Sequence, residues 1–302
     1  MKVTIVGGAG GVGASTAFNL VLLRAGHEIV LLDSRPEMIT SHVMDLEQVL
    51  ELAPSSTVRG GDASDVGDAD VVVVLSSTPL TVGTSRVEYL AKNARIVDEA
   101  LAPLDSSFRG VVLVVTNPVD PLVTRLHRRS GLDRRRILGY TINDSLRLRT
   151  GFGKALGVPA GRVDAWALGE HGDLSVPLLD RILVDGAPVR PMPEQTAVAL
   201  EYFRTWYVRH VALDSGRSST WTSGFALSRM VAALTRSGEL WPASVVLAGE
   251  YGIDGVAVSV PVTLGPGGCE RIHEWELAPD DLAALHDSAE YVRTAVESIG
   301  GE

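Results

Sequence analysis

The sequence has a single cysteine and no long apolar run, and both absences narrow its class. Cys269 is alone among 302 residues, so an internal disulfide and a cysteine-based metal cluster are excluded. No apolar stretch approaches the ~18–20 residues that a membrane span needs. The chain reaches its first glycine at Gly7, which is too early for the apolar region of a secretory signal. We therefore expect a cytoplasmic protein with no membrane partner.

Positive charge is also scarce. The chain carries 27 basic and 37 acidic residues, for a formal net charge of −10. This balance argues against nucleic acid as a partner. Arginines do crowd residues 125–136, and we interpret them as a solvated helix end and loop, where cations suit the helix dipole. The composition, 45% hydrophobic and 21% charged, is typical of a globular chain with one large domain or two ordinary ones.

Glycines cluster at one informative place near the start of the chain. A β-branched run over residues 2–6 predicts a buried strand, and residues 14–24 have the composition of a helix. A G-x-G-x-x-G pattern between strand and helix permits a tight turn and lets a pyrophosphate approach the N–H groups of the helix start. The residues predicted to hold a dinucleotide there are Gly7, Gly8, Gly10, Gly11, Val12 and Gly13.

Asp33 ends the next predicted strand, over residues 28–33, and lies twenty residues beyond Gly13. An acid at this distance is expected to accept hydrogen bonds from ribose hydroxyls. Its charge would repel a 2′-phosphate, so we predict NAD in preference to NADP. Arg35, two residues later, keeps NADP open, and a plain strand–turn–helix with a surface acid is the alternative interpretation.

The alternation of strand and helix patterns continues to about residue 145. Apolar strands are predicted at 70–75 and 111–115, with a helix at 86–100 between them. Continuous apolar strands separated by helices indicate a Rossmann-type doubly wound parallel sheet, with ligands beyond the carboxyl ends of the strands. The pattern then becomes mixed α+β. We predict a dinucleotide-binding domain over residues 1–145 and a substrate or catalytic domain over residues 146–302, with a cleft between them.

The segment from Leu168 to Asp173 places one histidine, His171, between glycines and acids. A histidine titrates near neutral pH and can pass a proton in either direction. Upstream, Asp144 and Arg147 are three residues apart, a spacing that puts both on one helix face. Taken singly, Asp144 could cap a helix and Arg147 could be a structural ion-pair partner.

Together these segments resemble the lactate/malate dehydrogenase family, the L-2-hydroxy acid dehydrogenases, over nearly the whole chain. The segments that carry the resemblance are the glycine loop with Asp33, Gly83–Arg86, Thr116–Asp120, Asp144–Arg147, Leu168–Asp173 and Gly249–Gly252. The resemblance implies a Rossmann-type fold, an NAD-dependent reaction that transfers a hydride reversibly between a 2-hydroxy acid and the cofactor, and a homodimer or homotetramer.

The resemblance also implies roles for individual residues. His171 would exchange the substrate's proton while Asp144 fixes its tautomer, and Arg147 would grip the substrate carboxylate. Arg86, on a closing loop, would polarise the carbonyl. Asn117 would bridge substrate and nicotinamide, and the further cofactor contacts implied are Ser76, Asn93 and Thr116. Taken singly, Arg86 reads as a surface arginine and Asn117 as a turn residue before proline.

The chain departs from the family pattern at the position that selects the substrate. Members specific for malate carry an arginine six positions before the loop arginine, and lactate-type members often carry glutamine; here the residue is Leu80. Leucine cannot neutralise a second carboxylate, and an unpaired buried charge costs several kcal/mol. Across the pocket, Ser219 and Ser223 offer hydroxyls beside Trp221. We therefore expect a neutral substrate side chain, with malate dehydrogenase proper as the alternative.

Two other classes share part of this pattern. A non-catalytic dinucleotide sensor would have the glycine loop and Asp33 but would not need His171, Asp144 and Arg147 together. An NAD- and metal-dependent glycosidase would have a similar dinucleotide domain, but it would need a Cys/His metal site. Cys269 has no partner at a suitable spacing, so we predict no metal site.

Overall fold

The structure is a computed structural model that describes residues 1–54, 56–78, 85–236 and 238–300. Leu80 and residues 81–84 of the predicted closing loop lie outside this part of the chain. The first half contains β1 (Lys2–Val6), α1 (Gly11–Leu23), β2 (Glu28–Leu32), α2 (Pro36–Leu52), β3 (Thr57–Gly60), α3 (Ser64–Gly67), β4 (Val71–Val74), α4 (Arg86–Ala100), β5 (Val111–Val114), α5 (Val119–Ser130) and β6 (Ile137–Tyr140).

The second half mixes short strands with long helices. It contains α6 (Ile142–Leu156), β7 (Val163–Asp164), β8 (Ala167–Gly169), β9 (Ser175–Pro177), β10 (Leu183–Val184), β11 (Ala187–Pro188), α7 (Pro193–Ala212), α8 (Thr220–Ala233), β12 (Glu239–Ala248), β13 (Asp254–Gly265), β14 (Gly268–Ile272) and α9 (Pro279–Ser298). Single turns of 3-10 helix lie at Arg134–Arg136, Ala160–Arg162, Leu179–Arg181 and Glu250–Gly252.

The first six strands confirm the predicted Rossmann-type sheet. They pair in the order β3-β2-β1-β4-β5-β6, and every pairing among them is parallel. In β4, Val71 and Val73 face a core that includes α1, whereas Val72 and Val74 face a second core under α4 and α5. Both faces of this strand are buried, which explains why its sequence is continuously apolar.

The sheet does not stop at the predicted domain boundary. β6 pairs antiparallel with β12, and β12 pairs antiparallel with β13, so the sheet runs on into the second half. The boundary predicted near residue 145 falls within α6. The histidine segment joins the same sheet, because β8 pairs with β13. The division into two domains stays a prediction.

Two predicted strands differ from the structure, and the long strand β12 has no predicted counterpart. The strand expected over 163–168 is divided: β7 pairs with β10 in a small separate sheet, whereas β8 joins the large one. β12 was not predicted at all, because Pro242 interrupts its apolar pattern. Pro261 led us to expect an edge or an irregular portion: β13 is not an edge strand, since it is paired on both sides, but its register with β14 is irregular between Thr263 and Leu264. The proline lies where its neighbour changes from β8, at Ser259, to β14, at Val262.

Candidate active site

The glycine turn connects β1 to α1 and leaves little room for side chains. Gly7 has φ +94°, and a Cβ atom there would lie 2.7 Å from the backbone nitrogen of Ser76. A Cβ atom at Gly13 would lie 2.5 Å from the carbonyl oxygen of Gly7. The helix N-cap is Gly10, which provides no side-chain hydrogen bond to the first turn. The turn therefore presents backbone N–H groups at a helix start, an arrangement that suits a phosphate group.

Asp33 follows β2 and faces the same turn. Its Oδ2 accepts a hydrogen bond from the backbone N–H of Ala9 at 3.2 Å. Its Oδ1 accepts from the backbone N–H and from Nε of Arg35, at 3.2 and 3.1 Å. Asp33 also lines a cavity of about 350 Å³, together with Ile39 and Gly60. Asp33 thus lines a space that could receive a ribose.

The other predicted cofactor residues gather at the ends of β4 and β5. The Thr116 hydroxyl donates to the carbonyl oxygen of Ser76 at 2.9 Å and ties the two strand ends together. Asn93, fully buried on α4, donates from Nδ2 to the carbonyl oxygen of Asn117 at 2.7 Å and accepts from the N–H of Thr78 at 2.8 Å. The Asn93 amide thus organises these loops, whereas the side chain of Asn117 is exposed.

The ring of His171 lies against the carboxylate of Asp144. The ring Nδ1 lies 2.5 Å from Asp144 Oδ2, and the two side chains are 12% and 10% exposed. Asp144 comes from the first turn of α6 and His171 from the turn after β8, so the pair joins two elements far apart in sequence. With Nδ1 facing a carboxylate, Nε2 is the nitrogen left to exchange a proton with a ligand.

Arg147 lies against the other oxygen of the same carboxylate. Its Nη1 donates to Asp144 Oδ1 at 3.2 Å, and its side chain is 18% exposed. Arg147 also lines a second cavity of about 350 Å³, between α6, α7 and α8, whose wall includes Trp206, Tyr202 and Ser219. A planar cation at the wall of a cavity can grip a carboxylate with two parallel hydrogen bonds.

Arg86 lies apart from this group. Its side chain is 73% exposed and forms an ion pair with Asp173, two residues after the histidine. The hydrogen bond that Arg86 donates to this carboxylate raises the pKa of Arg86 still further above its ordinary value. Arg86 therefore stands at the rim of the site, and the loop that precedes it lies largely outside the described residues.

The two predicted serines have different environments. Ser219 is the N-cap residue of α8, without a side-chain hydrogen bond to the first turn, and lines the cavity beside Arg147. Ser223 is 6% exposed, and its hydroxyl accepts a hydrogen bond from Asn143 Nδ2 at 3.1 Å. Asn143 in turn accepts from the Tyr140 hydroxyl at 2.8 Å. Ser223 thus belongs to a buried network behind α6, in addition to any contact with a ligand.

Electrostatics favour the protonated form of the histidine. Burial lowers the pKa of His171, but the charge and hydrogen bond of Asp144 and the charge of Asp120 outweigh it, so the pKa is raised above 6.5. Burial also raises the pKa of Asp120 to about 6 and that of Glu170 to about 7. Carboxyl groups with displaced pKa values surround the imidazole, as is common where protons are exchanged.

Sequence reasoning assigned no role to three residues that touch this site. Asp120 binds the backbone of His171, Asp173 pairs with Arg86, and Trp206 stacks on Arg147. Asp120 and Asp173 both lie within the segments quoted for the family resemblance, which is the one signal that could have found them. Nothing in the local sequence of Trp206 indicates its contact with Arg147.

The described residues contain no metal centre to compete with this interpretation. Cys269 is buried on β14, and burial raises its pKa to about 11. Within the described ranges no group of three or more His, Cys, Asp and Glu side chains is arranged to hold a metal ion. No helix of this part of the chain is long and apolar enough to cross a bilayer.

Comparison with known proteins defines the class of this chain. Residues 1–139 match the model of the lactate/malate dehydrogenase NAD binding domain, and residues 141–300 match that of the lactate/malate dehydrogenase alpha/beta C-terminal domain. The chain belongs to the lactate/malate dehydrogenase family. It is therefore an NAD-dependent oxidoreductase acting on a CH–OH group, as the resemblance implied.

Individual relatives carry both names of the family. The chain is 34% identical over 306 residues to a malate dehydrogenase of Halobacterium salinarum, and 33% identical over 307 residues to an L-lactate dehydrogenase of Lactobacillus delbrueckii subsp. bulgaricus; each alignment covers 99% of both chains. The solved structure of a minor L-lactate dehydrogenase from Enterococcus mundtii superposes with a TM-score of 0.90 at 26% identity, covering 100% of this chain and 99% of that one.

Proposed function

We propose that this enzyme interconverts an L-2-hydroxy acid with a neutral side chain and the matching 2-oxo acid. The observation that carries the proposal is the contact of His171 and Arg147 with the two oxygens of one carboxylate, Asp144, at 2.5 and 3.2 Å. This arrangement offers a proton-exchanging group and a carboxylate-binding group side by side. A dinucleotide sensor would have no need of it.

In oxidation, His171 would accept the hydroxyl proton at Nε2 while the hydride leaves the same carbon. Bound NAD would supply the hydride acceptor. Asp144 would hold Nδ1–H and stabilise the imidazolium that forms. Arg147 would orient the substrate carboxylate. Arg86 would leave its ion pair with Asp173 and stabilise the negative charge that develops on the substrate oxygen. Reduction would run the same steps backwards, with the imidazolium returning its proton.

The cofactor would lie along the carboxyl edge of the parallel strands. The glycine turn from Gly7 to Gly13 would receive the pyrophosphate, and Ser76, Thr116 and Asn117 would border the nicotinamide, with Asn93 holding the loops. Asp33 would bind the adenosine ribose. Its carboxylate supports NAD over NADP, because it would repel a 2′-phosphate; Arg35 is already paired with it.

The substrate proposal depends on Leu80, Ser219 and Ser223, which provide no cation for a second carboxylate. Malate dehydrogenase proper is the second candidate, supported by the 34% identical relative of that name. A panel of 2-oxo acids, assayed with NADH and with NADPH, tests both. We expect neutral 2-oxo acids to exceed oxaloacetate in kcat/KM and Leu80→Arg to shift the preference toward oxaloacetate. Oxaloacetate as the best substrate of the unaltered enzyme would favour the second candidate.

The catalytic assignment has its own test. His171→Asn should lower kcat about 10³-fold, within the usual range for a lost acid–base group, while NADH still binds. An unaltered protein that binds NADH but reduces none of the 2-oxo acids would indicate a sensor instead.

We further propose a homodimer or homotetramer. Adjacent helices α1 and α8 expose large apolar side chains that a second copy could cover: Phe18 and Leu22 are 41% and 51% exposed, and Trp221 and Phe225 are 70% and 49% exposed. Light scattering after size exclusion measures this directly. The cytoplasmic location, the absence of nucleic-acid and membrane partners, and the division at residue 145 remain predictions from the sequence.

A further inference from the structure

Asp120 is a buried acid that the proposed reaction does not use. It lies in the first turn of α5, in the parallel half of the sheet, and is 1% exposed. Its Oδ2 accepts a hydrogen bond from the backbone N–H of His171 at 2.7 Å, across 51 residues of chain. The contact joins the start of a helix in one half of the protein to the histidine turn in the other.

The rest of the Asp120 carboxylate is poorly satisfied. Its Oδ1 makes no close hydrogen bond to a described residue; the hydroxyl of the fully buried Ser244 on β12 interacts with the carboxylate and lowers its pKa, but burial raises that pKa by more. A buried carboxylate with so few partners destabilises the fold. An acid in the first turn of a helix can serve the helix dipole, but that role needs neither full burial nor a contact with the histidine turn. A function at the histidine accounts for the full burial of Asp120 and for its contact with the histidine turn.

We propose that Asp120 is a positioning residue for His171, which holds the backbone of the histidine turn and places a second negative charge beside the imidazole. The catalytic role of His171 rests on the proposed function; the electrostatic effect on the ring does not. The hydrogen bond fixes the backbone position of His171, so that the Nδ1 atom of its ring reaches Asp144. The charge stabilises the imidazolium together with that of Asp144.

Several other charged groups face His171, and each either favours or opposes the imidazolium form of its ring. Asp144 on α6 favours the imidazolium and Arg147 on the same helix opposes it. Glu170 belongs to the same turn, and burial and the Asp120 charge raise its pKa to about 7, so it is only partly charged at neutral pH. Asp173 and Arg86, at the rim, are exposed and neutralise each other. Asp120 is thus the second buried carboxylate whose charge acts on the ring.

The direct test is the titration of the His171 imidazole by NMR, with 13C-labelled histidine and assignment by loss of the signal in His171→Asn. Asp120→Asn keeps an oxygen that can accept the backbone hydrogen bond but removes the charge. We expect it to lower the pKa of His171 by about half a unit or more. The matched control is Asp173→Asn, which removes an exposed carboxylate from the histidine turn and should move the pKa by less than about 0.2 unit. An unchanged pKa in Asp120→Asn overturns the proposal.

Two further measurements separate the possible failures. If Asp120→Asn does not fold, the NMR chemical shift of the His171 backbone amide proton is followed against pH in the unaltered protein. It should change as Asp120 ionises, near pH 6. A chemical shift that does not change with this ionisation overturns the proposal. In the enzyme assay of Asp120→Asn, the pH profile of kcat/KM for 2-oxo acid reduction should shift to lower pH together with the imidazole pKa. If no 2-oxo acid is reduced but the imidazole pKa still responds to Asp120→Asn, the proposed function fails and the electrostatic role of Asp120 stands.

Discussion

The guanidinium group of Arg147 lies over the indole ring of Trp206, with Cζ 4.4 Å from the ring centroid. Arg147 comes from α6 and Trp206 from α7, and the imidazole of His210 also stacks on the indole, with the ring centroids 4.9 Å apart. The guanidinium is thus bounded by an aromatic face and by the Asp144 carboxylate. This fixes the plane in which it can present two N–H groups to a ligand.

We expect Trp206→Leu to weaken substrate binding more than turnover. Loss of a cation–π contact of about 0.5–2 kcal/mol corresponds to a rise of roughly 2- to 30-fold in KM for the 2-oxo acid. Steady-state kinetics with saturating NADH measure this split. Trp206→Phe, which keeps an aromatic face, is the control and should recover part of the affinity. A fall in kcat with no change in KM would contradict the positioning role.

The pH dependence of the two reaction directions should be opposite. Reduction needs the imidazolium of His171 and oxidation needs the neutral ring, and the pKa of this histidine is raised above 6.5. Reduction should therefore fall, and oxidation rise, as pH increases through a pKa above 6.5. Initial rates of kcat/KM from pH 5 to 9 measure both limbs.

Asp144→Asn is the variant that tests the cause of this shift. Removing the charge and hydrogen bond at Nδ1 should move both limbs to lower pH by about 1 unit or more, because burial then acts with less opposition. Asp173→Asn is the control. Asp173 lies in the same turn as His171 but is exposed, so its substitution should leave both pH limbs nearly in place. Limbs that stay fixed in Asp144→Asn would show that another group controls the profile.

Local pattern predicted the parallel sheet well, because strands such as β4 are buried on both faces and carry a continuous apolar run between glycines or polar turns. β12 escaped prediction for the opposite reason. Pro242 breaks its pattern, and its strand conformation depends on pairing with β13 and β6, which are distant in the chain.

The contacts of the site also differ in whether local sequence or tertiary packing determines them. Asp144 and Arg147 share a helix face, so a spacing of three residues was enough to bring them together. The contacts of Asp120 with His171 and of Trp206 with Arg147 join elements whose approach depends on the packing of the sheet and of α6 against α7. No local pattern encodes such contacts.

Cofactor preference should respond to the charge at Asp33. Asp33→Asn removes the repulsion of a 2′-phosphate and releases the Arg35 guanidinium, which now pairs with the carboxylate. We expect the ratio of kcat/KM for NADPH to that for NADH to rise by about 10-fold or more, the equivalent of roughly 1.4 kcal/mol. Asp33→Asn combined with Arg35→Ala is the control and should lose most of the gain. An unchanged ratio would mean that the ribose does not approach this carboxylate.

Asp65 should stabilise the fold in a pH-dependent way. Its side chain is 10% exposed and accepts hydrogen bonds from Lys2 Nζ at 2.7 Å and from Arg59 Nη1 at 3.0 Å. The Arg59 hydrogen bonds outweigh burial and hold the pKa of Asp65 well below its ordinary value of 3.8. A depressed pKa means that the folded state binds a proton less readily than the unfolded chain. The stabilisation is therefore complete above about pH 4 and is lost as pH falls below that value.

We expect Asp65→Asn to lower the free energy of unfolding by about 2–3 kcal/mol at pH 7, because two cations lose a buried charged partner. At pH 3 the difference between variant and unaltered protein should be smaller, since the unfolded state then gains by protonating Asp65. Urea unfolding at both pH values measures this. Asp68→Asn removes another partner of Lys2, but one that is 69% exposed, and should cost less than about 1 kcal/mol. An equal loss for Asp65→Asn at both pH values would show that the carboxylate acts through packing and not through its charge.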